Sequence, residues 1–218
     1  MGKNTKHSAL GATFVMGKQF DRDQLLDALD KVGLAAVANR ETLEIAVYGG
    51  SALMLASNFR YASEDVDMAE LRKPWPPWLE HVVSEIAVEN EWAEHWLNDA
   101  VTFHLSPLAT PNDHLEFGTF PRNGNEPGLK VYIPTAEYML ALKLKAIRIA
   151  DPAKGEQETA DILNLAKVLD LKTPEEALTT LAKYFPKSAA DADKHRFLLK
   201  YIWNKESHDA PSYAGSGG

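Results

Sequence analysis

The sequence lacks three features that would each point to a particular class of protein. It contains no cysteine, which excludes a disulfide bond, a thiolate metal site and a thiol nucleophile. No apolar run reaches the length of a transmembrane helix, and the N-terminus shows no signal-peptide pattern. We therefore expect a cytoplasmic protein with no membrane partner.

The chain also lacks an excess of positive charge. Its 31 acidic and 23 basic side chains give a formal net charge of −8, whereas proteins that bind nucleic acid in general are usually basic. Acidic residues are concentrated between positions 80 and 94, and basic residues are denser between 130 and 154. We therefore expect no binding to duplex DNA, although the basic stretch could still hold the end of an RNA.

The sequence does contain a predicted strand, a glycine pair and a predicted helix in succession. Residues 43–48 are rich in β-branched and aromatic residues, which predicts a strand. Gly49 and Gly50 end it, and residues 51–59 have apolar residues at helical spacing. The N–H groups of such a turn form an anion site, and the Ser51 hydroxyl can donate to a phosphate oxygen or cap the helix.

A pair of aspartates, Asp65 and Asp67, follows in a strand-like segment. On a strand, this spacing places both carboxylates on one face, roughly 6.5–7 Å apart along the chain, while Val66 points into the core. Mg²⁺ is commonly bound by one or two carboxylates together with substrate phosphates. A turn with two surface aspartates is the alternative, but the preceding strand, glycine turn and helix favour a metal site.

The two motifs resemble those of nucleotidyltransferases of the DNA polymerase β superfamily. The resemblance is strongest to the minimal nucleotidyltransferases related to the AbiEii abortive-infection toxins, which carry a GG-S/T-x-L turn and then R-x-S/T-x-D-hydrophobic-D. Residues 49–53 match the first motif, and residues 63–67 match the second. Arg60 stands five residues before Asp65, one more than the commonest spacing.

The resemblance implies a role for each residue of these motifs. Asp65 and Asp67 would bind Mg²⁺ or Mn²⁺, and Ser63 would lie beside the nucleotide and belong to the catalytic set. A turn-forming serine before a strand is the alternative for Ser63. The residues implied to bind the nucleoside triphosphate are Gly49, Gly50, Ser51, Arg60, Ser63 and Lys143.

The lysine of this set, Lys143, lies in a predicted helix over 137–150 that follows an N-cap signal at Thr135. The residues three and four positions away from Lys143 are all apolar, and a lysine between apolar stripes is unfavourable unless it serves a partner. The resembling proteins carry a K-L-x-A-x-R segment, which residues 143–148 fit. This match implies that Lys143 faces a phosphate or the acceptor, and a snorkelling lysine is the alternative.

A third catalytic carboxylate is usual in the superfamily, as a base or as a metal ligand. Relatives place an aspartate in a D-hydrophobic-x-x-L context, which matches Asp161 and Leu165. The alternative is a carboxylate that interacts favourably with the dipole of a helix N-terminus. Glu116, in a strand-like segment, is the other candidate, and Asp113 is loop-like. The sequence leaves the choice between Glu116 and Asp161 open.

The remaining pattern predicts an α+β fold, with a polymerase-β-like mixed sheet followed by a C-terminal helical bundle. Strands are predicted over 101–105, 115–120 and 130–133, and helices over 91–99, 136–150, 157–170, 175–185 and 191–204. Trp92 and Trp96 are predicted to lie in the core. We expect a nucleotidyltransferase domain over 20–135, a helical region over 136–205, and flexible residues over 1–19 and 206–218.

The expected function is metal-dependent transfer of a nucleoside monophosphate from a nucleoside triphosphate to an acceptor hydroxyl. The resemblance implies a toxin of a toxin–antitoxin or phage-defence system, with tRNA or a protein as acceptor and an antitoxin protein as a further partner. Two alternatives remain open. One is an enzyme that modifies a cationic antibiotic, which the acidic charge suits, and the other is a catalytically inert binding or regulatory module.

Overall fold

The protein has an α+β fold, as the sequence predicts, with a mixed five-stranded sheet and eight α-helices in the residues that the structure describes. The computed structural model describes residues 17–71, 74–147, 155–190, 192–204 and 211–215. None of the helices in these ranges is both long enough and apolar enough to cross a membrane.

Strands dominate the first part of the described chain, and helices dominate the rest. The strands are Phe20–Asp21 (β1), Leu43–Val47 (β2), Ala62–Ser63 (β3), Val66–Glu70 (β4), Leu97–Asn98 (β5), His114–Phe120 (β6) and Leu129–Pro134 (β7). The α-helices are Arg22–Ala38 (α1), Gly49–Ala56 (α2), Pro77–Asn90 (α3), Ala136–Lys145 (α4), Gly155–Val168 (α5), Pro174–Tyr184 (α6), Pro186–Ala190 (α7) and Ala192–Trp203 (α8).

Strand β2 lies at the centre of the sheet, whose strand order is β5-β4-β2-β7-β6. It pairs antiparallel with β4 and parallel with β7. One face of these two inner strands, β2 and β7, is fully buried and carries Leu43, Ile45, Val47, Leu129, Val131 and Ile133. Val47 pairs with Met68 of β4, and side chains alternate along a strand. Asp67 therefore lies on the opposite face of the sheet from this apolar layer.

The C-terminal helices pack against the rest of the fold through tyrosines. The Tyr138 hydroxyl of α4 accepts a hydrogen bond from the Ser106 N–H at 2.9 Å, and its ring lies 4.8 Å from that of Tyr184. The Tyr184 hydroxyl in turn donates to Asp113 at 2.6 Å. The buried residues of the sheet and of these helices form one continuous cluster.

Most of the predicted elements are confirmed. Helices α4, α5, α6 and α8 match the four helices predicted after position 135 to within a few residues, except that α4 ends at Lys145 and residues 148–150 lie outside the described range. Strands β6 and β7 match those predicted over 115–120 and 130–133. Of the residues expected to be flexible, 1–16, 206–210 and 216–218 also lie outside the described range.

The predicted helix over 91–99 is wrong. Helix α3 ends at Asn90, and Glu91 takes a left-handed φ of +58°. Trp92 and Trp96 are buried as predicted, but an irregular segment brings them together with Phe20, whose ring lies 4.6 Å from that of Trp92. Trp96 Nε1 also donates to the Val83 carbonyl at 3.0 Å. These tertiary contacts override the helical preference of the segment.

The predicted strand over 101–105 is also wrong, because Ala100–His104 forms a 3₁₀ helix. No residue of that short helix is buried. Its apolar residues, which suggested a strand, therefore do not enter a sheet.

Close packing of α1 against the sheet predicts the effect of a small substitution. A β-carbon at Gly33 would lie 2.5 Å from the backbone carbonyl carbon of Phe120, whereas one at Gly118 would have no atom within 4 Å. We expect Gly33→Ala to lower the free energy of unfolding by roughly 1–3 kcal/mol through overpacking. The matched Gly118→Ala should change it by less than about 0.5 kcal/mol. Urea unfolding of both variants checks this, and equal stabilities would contradict the packing.

Candidate active site

Helix α2 begins at the glycine pair, and its N-terminus lies against Asp67. Gly49 has a φ of +64°, in the left-handed region that favours glycine. A β-carbon here would lie only 2.8 Å from Asp67 Oδ2. The Tyr48 side chain, at the N-cap position, makes no capping hydrogen bond, and the first N–H groups of a helix have no partner within it. The N-terminus of α2 and the Asp67 carboxylate therefore lie side by side.

The second glycine makes room for a cation and a hydroxyl. A β-carbon at Gly50 would lie 2.8 Å from Nη2 of Arg60 and 3.1 Å from Oγ of Ser63. Arg60 Nε also donates to the Ala62 carbonyl at 3.0 Å, which fixes the direction of the guanidinium group. The structure thus brings Arg60 and Ser63 to the same end of α2 as the glycine pair.

Two serine hydroxyls converge on the backbone carbonyl of Asp65. Ser51 and Ser63 both donate to this oxygen, Ser63 at 3.0 Å, and both serines are buried. Ser51 is the third residue of α2 and does not cap the helix. The hydroxyls hold the turn that leads into β4, and the Asp65 side chain remains exposed. Asp67 lies within β4, whereas Asp65 immediately precedes it.

A buried carboxylate, Asp161, joins two cations. Its side chain is 2 % exposed, and its Oδ2 accepts from Lys143 Nζ at 2.8 Å and from Arg60 Nη1 at 3.2 Å. The side chains of Lys143 and Arg60 are 15 % and 16 % exposed. Asp161 is the seventh residue of α5, beyond the first turn where a helix dipole acts. Pairing with these cations, rather than the helix dipole, explains the position of this carboxylate.

The Lys143 contact argues against one of the two interpretations of that residue, the snorkelling lysine. A snorkelling lysine would extend its ammonium group to solvent, but Lys143 is largely buried and bonded to Asp161. The other described lysines of the basic stretch are also engaged. Lys130 lies 3.9 Å from Glu44, and Lys145 donates to the His104 carbonyl at 2.7 Å. Arg148 and Lys154 lie outside the described residues.

The other carboxylates considered from sequence lie elsewhere. Glu116 is exposed on the edge strand β6, three strands from β4, which corresponds to roughly 14 Å at the usual spacing. Asp113 accepts hydrogen bonds from Thr110 and Tyr184 and closes a short turn. In the described ranges, no group of three or more His, Asp or Glu side chains is placed to hold a metal ion.

One neighbour of the site was not anticipated from sequence. Tyr48, which precedes the glycine pair, has its hydroxyl 2.9 Å from Nε2 of His114. Nδ1 of the same ring lies 3.3 Å from the Thr110 carbonyl, so Nδ1 carries the proton and Nε2 accepts from Tyr48. Burial lowers the pKa of His114 and raises that of Tyr48. The residues are 66 positions apart, and no local pattern marks the pair.

Comparisons of the chain with protein-family models, with curated proteins and with solved structures find no match. The five-stranded mixed sheet and the cluster around the N-terminus of α2 are therefore the observations on which a functional assignment depends.

The Asp161 cluster predicts non-additive effects of substitution. Lys143→Met should lower the free energy of unfolding by roughly 1.5–3 kcal/mol, because it removes a hydrogen bond to a buried charge. Asp161→Asn should also destabilise, since it leaves two cations facing each other. In the double variant we expect a smaller loss than the sum of the two, because Lys143 is then absent and only Arg60 is left without its carboxylate. Additive losses in urea unfolding would show that the pair is not coupled.

The buried histidine predicts a pH dependence of stability. The pKa of His114 is lower in the folded state than its ordinary value of about 6.5. As the pH falls through that value, the unfolded chain therefore binds more protons than the folded chain does. Stability should therefore decrease below that pH until His114 is protonated in the folded state. His114→Gln should reduce the loss of stability between about pH 7.5 and about pH 5.5. The exposed His104→Gln should leave it unchanged, and identical pH profiles for all three proteins would contradict the prediction.

Proposed function

We propose that this protein is a metal-dependent nucleotidyltransferase, which moves a nucleoside monophosphate from a nucleoside triphosphate to an acceptor hydroxyl. The observation that carries the proposal is the meeting of opposite charges at the N-terminus of α2. Asp67 lies against Gly49, while Arg60 lies against Gly50. A triphosphate that binds with a cation needs both signs of charge beside backbone N–H donors.

The phosphates bind at the first turn of α2, whose N–H groups point toward them. Arg60 and Lys143 add two positive charges, of which Asp161 balances one. The acceptor oxygen forms a bond to the α-phosphorus while the bond to pyrophosphate breaks, and the hydroxyl proton passes to solvent water. The chain contributes mainly by positioning these groups and by stabilising the charge that develops on the phosphates. Asp161 holds the cations and does not itself take the acceptor proton.

The two aspartates fit a divalent cation that arrives with the nucleotide. Mg²⁺ is usually held by one or two carboxylates, and substrate phosphates and water complete its coordination. Asp65 is exposed and Asp67 is half-buried beside the helix end, so this pair would hold Mg²⁺ or Mn²⁺. When bound, the ion would neutralise the charge that develops on the phosphates.

For the acceptor, the motif resemblance supports tRNA or a protein, in a toxin–antitoxin or phage-defence system with an antitoxin partner. The charge distribution supports contact with the end of an RNA rather than with an extended duplex. The described lysines Lys130, Lys143 and Lys145 all have intramolecular partners. They do not form a broad free basic surface of the kind that long nucleic acids require.

A groove at the β5 edge of the sheet favours a second candidate, a cationic small-molecule acceptor. This groove, of about 720 Å³, runs between α3 and β5, and Trp75, Glu80, Glu94 and Asp99 contribute to its lining. Its wall also includes Asn98, which pairs with Asp67 in the sheet register. Acidic side chains beside an aromatic ring suit a cationic antibiotic.

The proposal predicts which of three neighbouring carboxylates matter. Asp65→Asn and Asp67→Asn should each reduce Mg²⁺-dependent transfer of α-³²P-labelled nucleotide by roughly 100-fold or more, because charge stabilisation of the phosphates is lost. Glu64 is exposed and lies between the two motif residues Ser63 and Asp65. Because it has no proposed role in the site, the Glu64→Gln variant should retain full activity.

The same assay separates the acceptors, with each labelled nucleotide supplied together with total RNA, cellular protein or an aminoglycoside. Label on RNA or protein would support the toxin assignment. Label on the aminoglycoside would support the second candidate, in which the groove binds a cationic small-molecule acceptor. Nucleotide binding without any transfer would leave an inert binding module. A wild-type protein that binds no nucleotide would overturn the enzyme proposal.

A further inference from the structure

Residues that follow α8 return to the C-terminal end of α2. Tyr213 forms an antiparallel bridge with Ser57, directly after α2. The Ala214 N–H donates to the Ala56 carbonyl at 2.8 Å, and the Ser212 N–H donates to Asn58 Oδ1 at 2.8 Å. Residues 212–215, which we call the strap, therefore add backbone hydrogen bonds to the turn that connects α2 with β3.

A buried tyrosine anchors the strap. The Tyr213 side chain is 5 % exposed, and its hydroxyl donates to the Pro134 carbonyl at 2.7 Å. Burial raises the pKa of this phenol, so it remains a neutral donor. Gly215 has a φ of +76° and packs so closely on Leu115 that a β-carbon would lie 2.9 Å from its Cδ1. The strap is thus fixed both to the end of β7 and to β6.

The turn that the strap contacts carries Arg60. Within it, the Tyr61 hydroxyl donates to the Asn58 carbonyl at 2.7 Å, and Asn58 is the residue that the strap holds through Ser212. Arg60 lies between these two contacts and reaches both Gly50 and Asp161. Without the strap, the Arg60–Asp161 ion pair and the pairing of β3 with β1 would still hold the second half of the turn, but residues 56–58 would lose their contacts with the strap.

We propose that Tyr213 is a positioning residue for the candidate site: by anchoring the strap, it fixes the turn of residues 57–61 and so holds the Arg60 guanidinium group against the N-terminus of α2. The consequence for a triphosphate rests on the proposed nucleotidyltransferase function. The positioning of the turn does not, and it can be tested separately.

The first measurement is hydrogen–deuterium exchange in the full chain. Tyr213→Ala should raise exchange of the turn amides at residues 57–62 by roughly tenfold or more, while β2 and β7 keep the wild-type rates. Tyr213→Phe keeps the buried ring and should restore much of the protection. Phe197→Ala removes a 75 % exposed aromatic side chain of α8 and is the matched control. Unchanged exchange of the turn, or a rise spread equally over the sheet, would overturn the proposal.

The second measurement is the KM for the nucleoside triphosphate that is transferred in the labelling assay, with Mg²⁺, and the kcat of that transfer. Tyr213→Ala should raise KM roughly tenfold with a smaller effect on kcat, because a displaced Arg60 weakens binding of the phosphates. Local loosening of the turn with an unchanged KM would refute the link to the site. If the wild-type protein binds no nucleotide, the proposed function fails, and the exchange measurement still decides whether Tyr213 positions the turn.

Discussion

The candidate site depends on one carboxylate oxygen, Oδ2 of Asp161, to which both Arg60 and Lys143 donate. Three separate parts of the chain meet at this atom: the turn after α2, helix α4 and helix α5. A buried carboxylate without partners would cost several kcal/mol in lost solvation, so the fold must bring cations to it. Because two cations match one anion, the cluster keeps a surplus positive charge. One of these two cations, Arg60, also borders the glycine turn.

The negative and the positive side chain approach α2 at two different glycines. Asp67 approaches α2 at Gly49, and Arg60 approaches it at Gly50. A side chain at either position would separate the helix end from its charged neighbour. The absence of β-carbons therefore has an electrostatic effect as well as a steric one. It lets a carboxylate and a guanidinium group both approach the first turn of one helix.

Local features of the site could be predicted from sequence, whereas its long-range partners could not. The glycine turn, the strand of Asp67 and the helix of Lys143 follow from short patterns, and the structure places them as expected. The cationic partners of Asp161 could not be foreseen, because its bond to Arg60 joins residues 101 positions apart. Ser51 and Ser63 have patterns typical of capping or of phosphate binding, but their shared acceptor is a backbone carbonyl. The segment of Trp92 and Trp96 has helical composition, yet contacts with Phe20 determine its conformation.

The separation of Arg60 from Asp161 along the sequence has a consequence for synthesis of the protein on the ribosome. Synthesis proceeds from the N-terminus at about 5–20 residues per second. The glycine turn and Arg60 therefore emerge well before Asp161, the carboxylate that pairs with Arg60. The sheet also remains incomplete until β7 pairs with β2, which lies more than eighty residues earlier. A nascent chain therefore exposes Arg60 before the carboxylate of Asp161 is available to pair with it. The cluster can assemble only after α5 has left the exit tunnel.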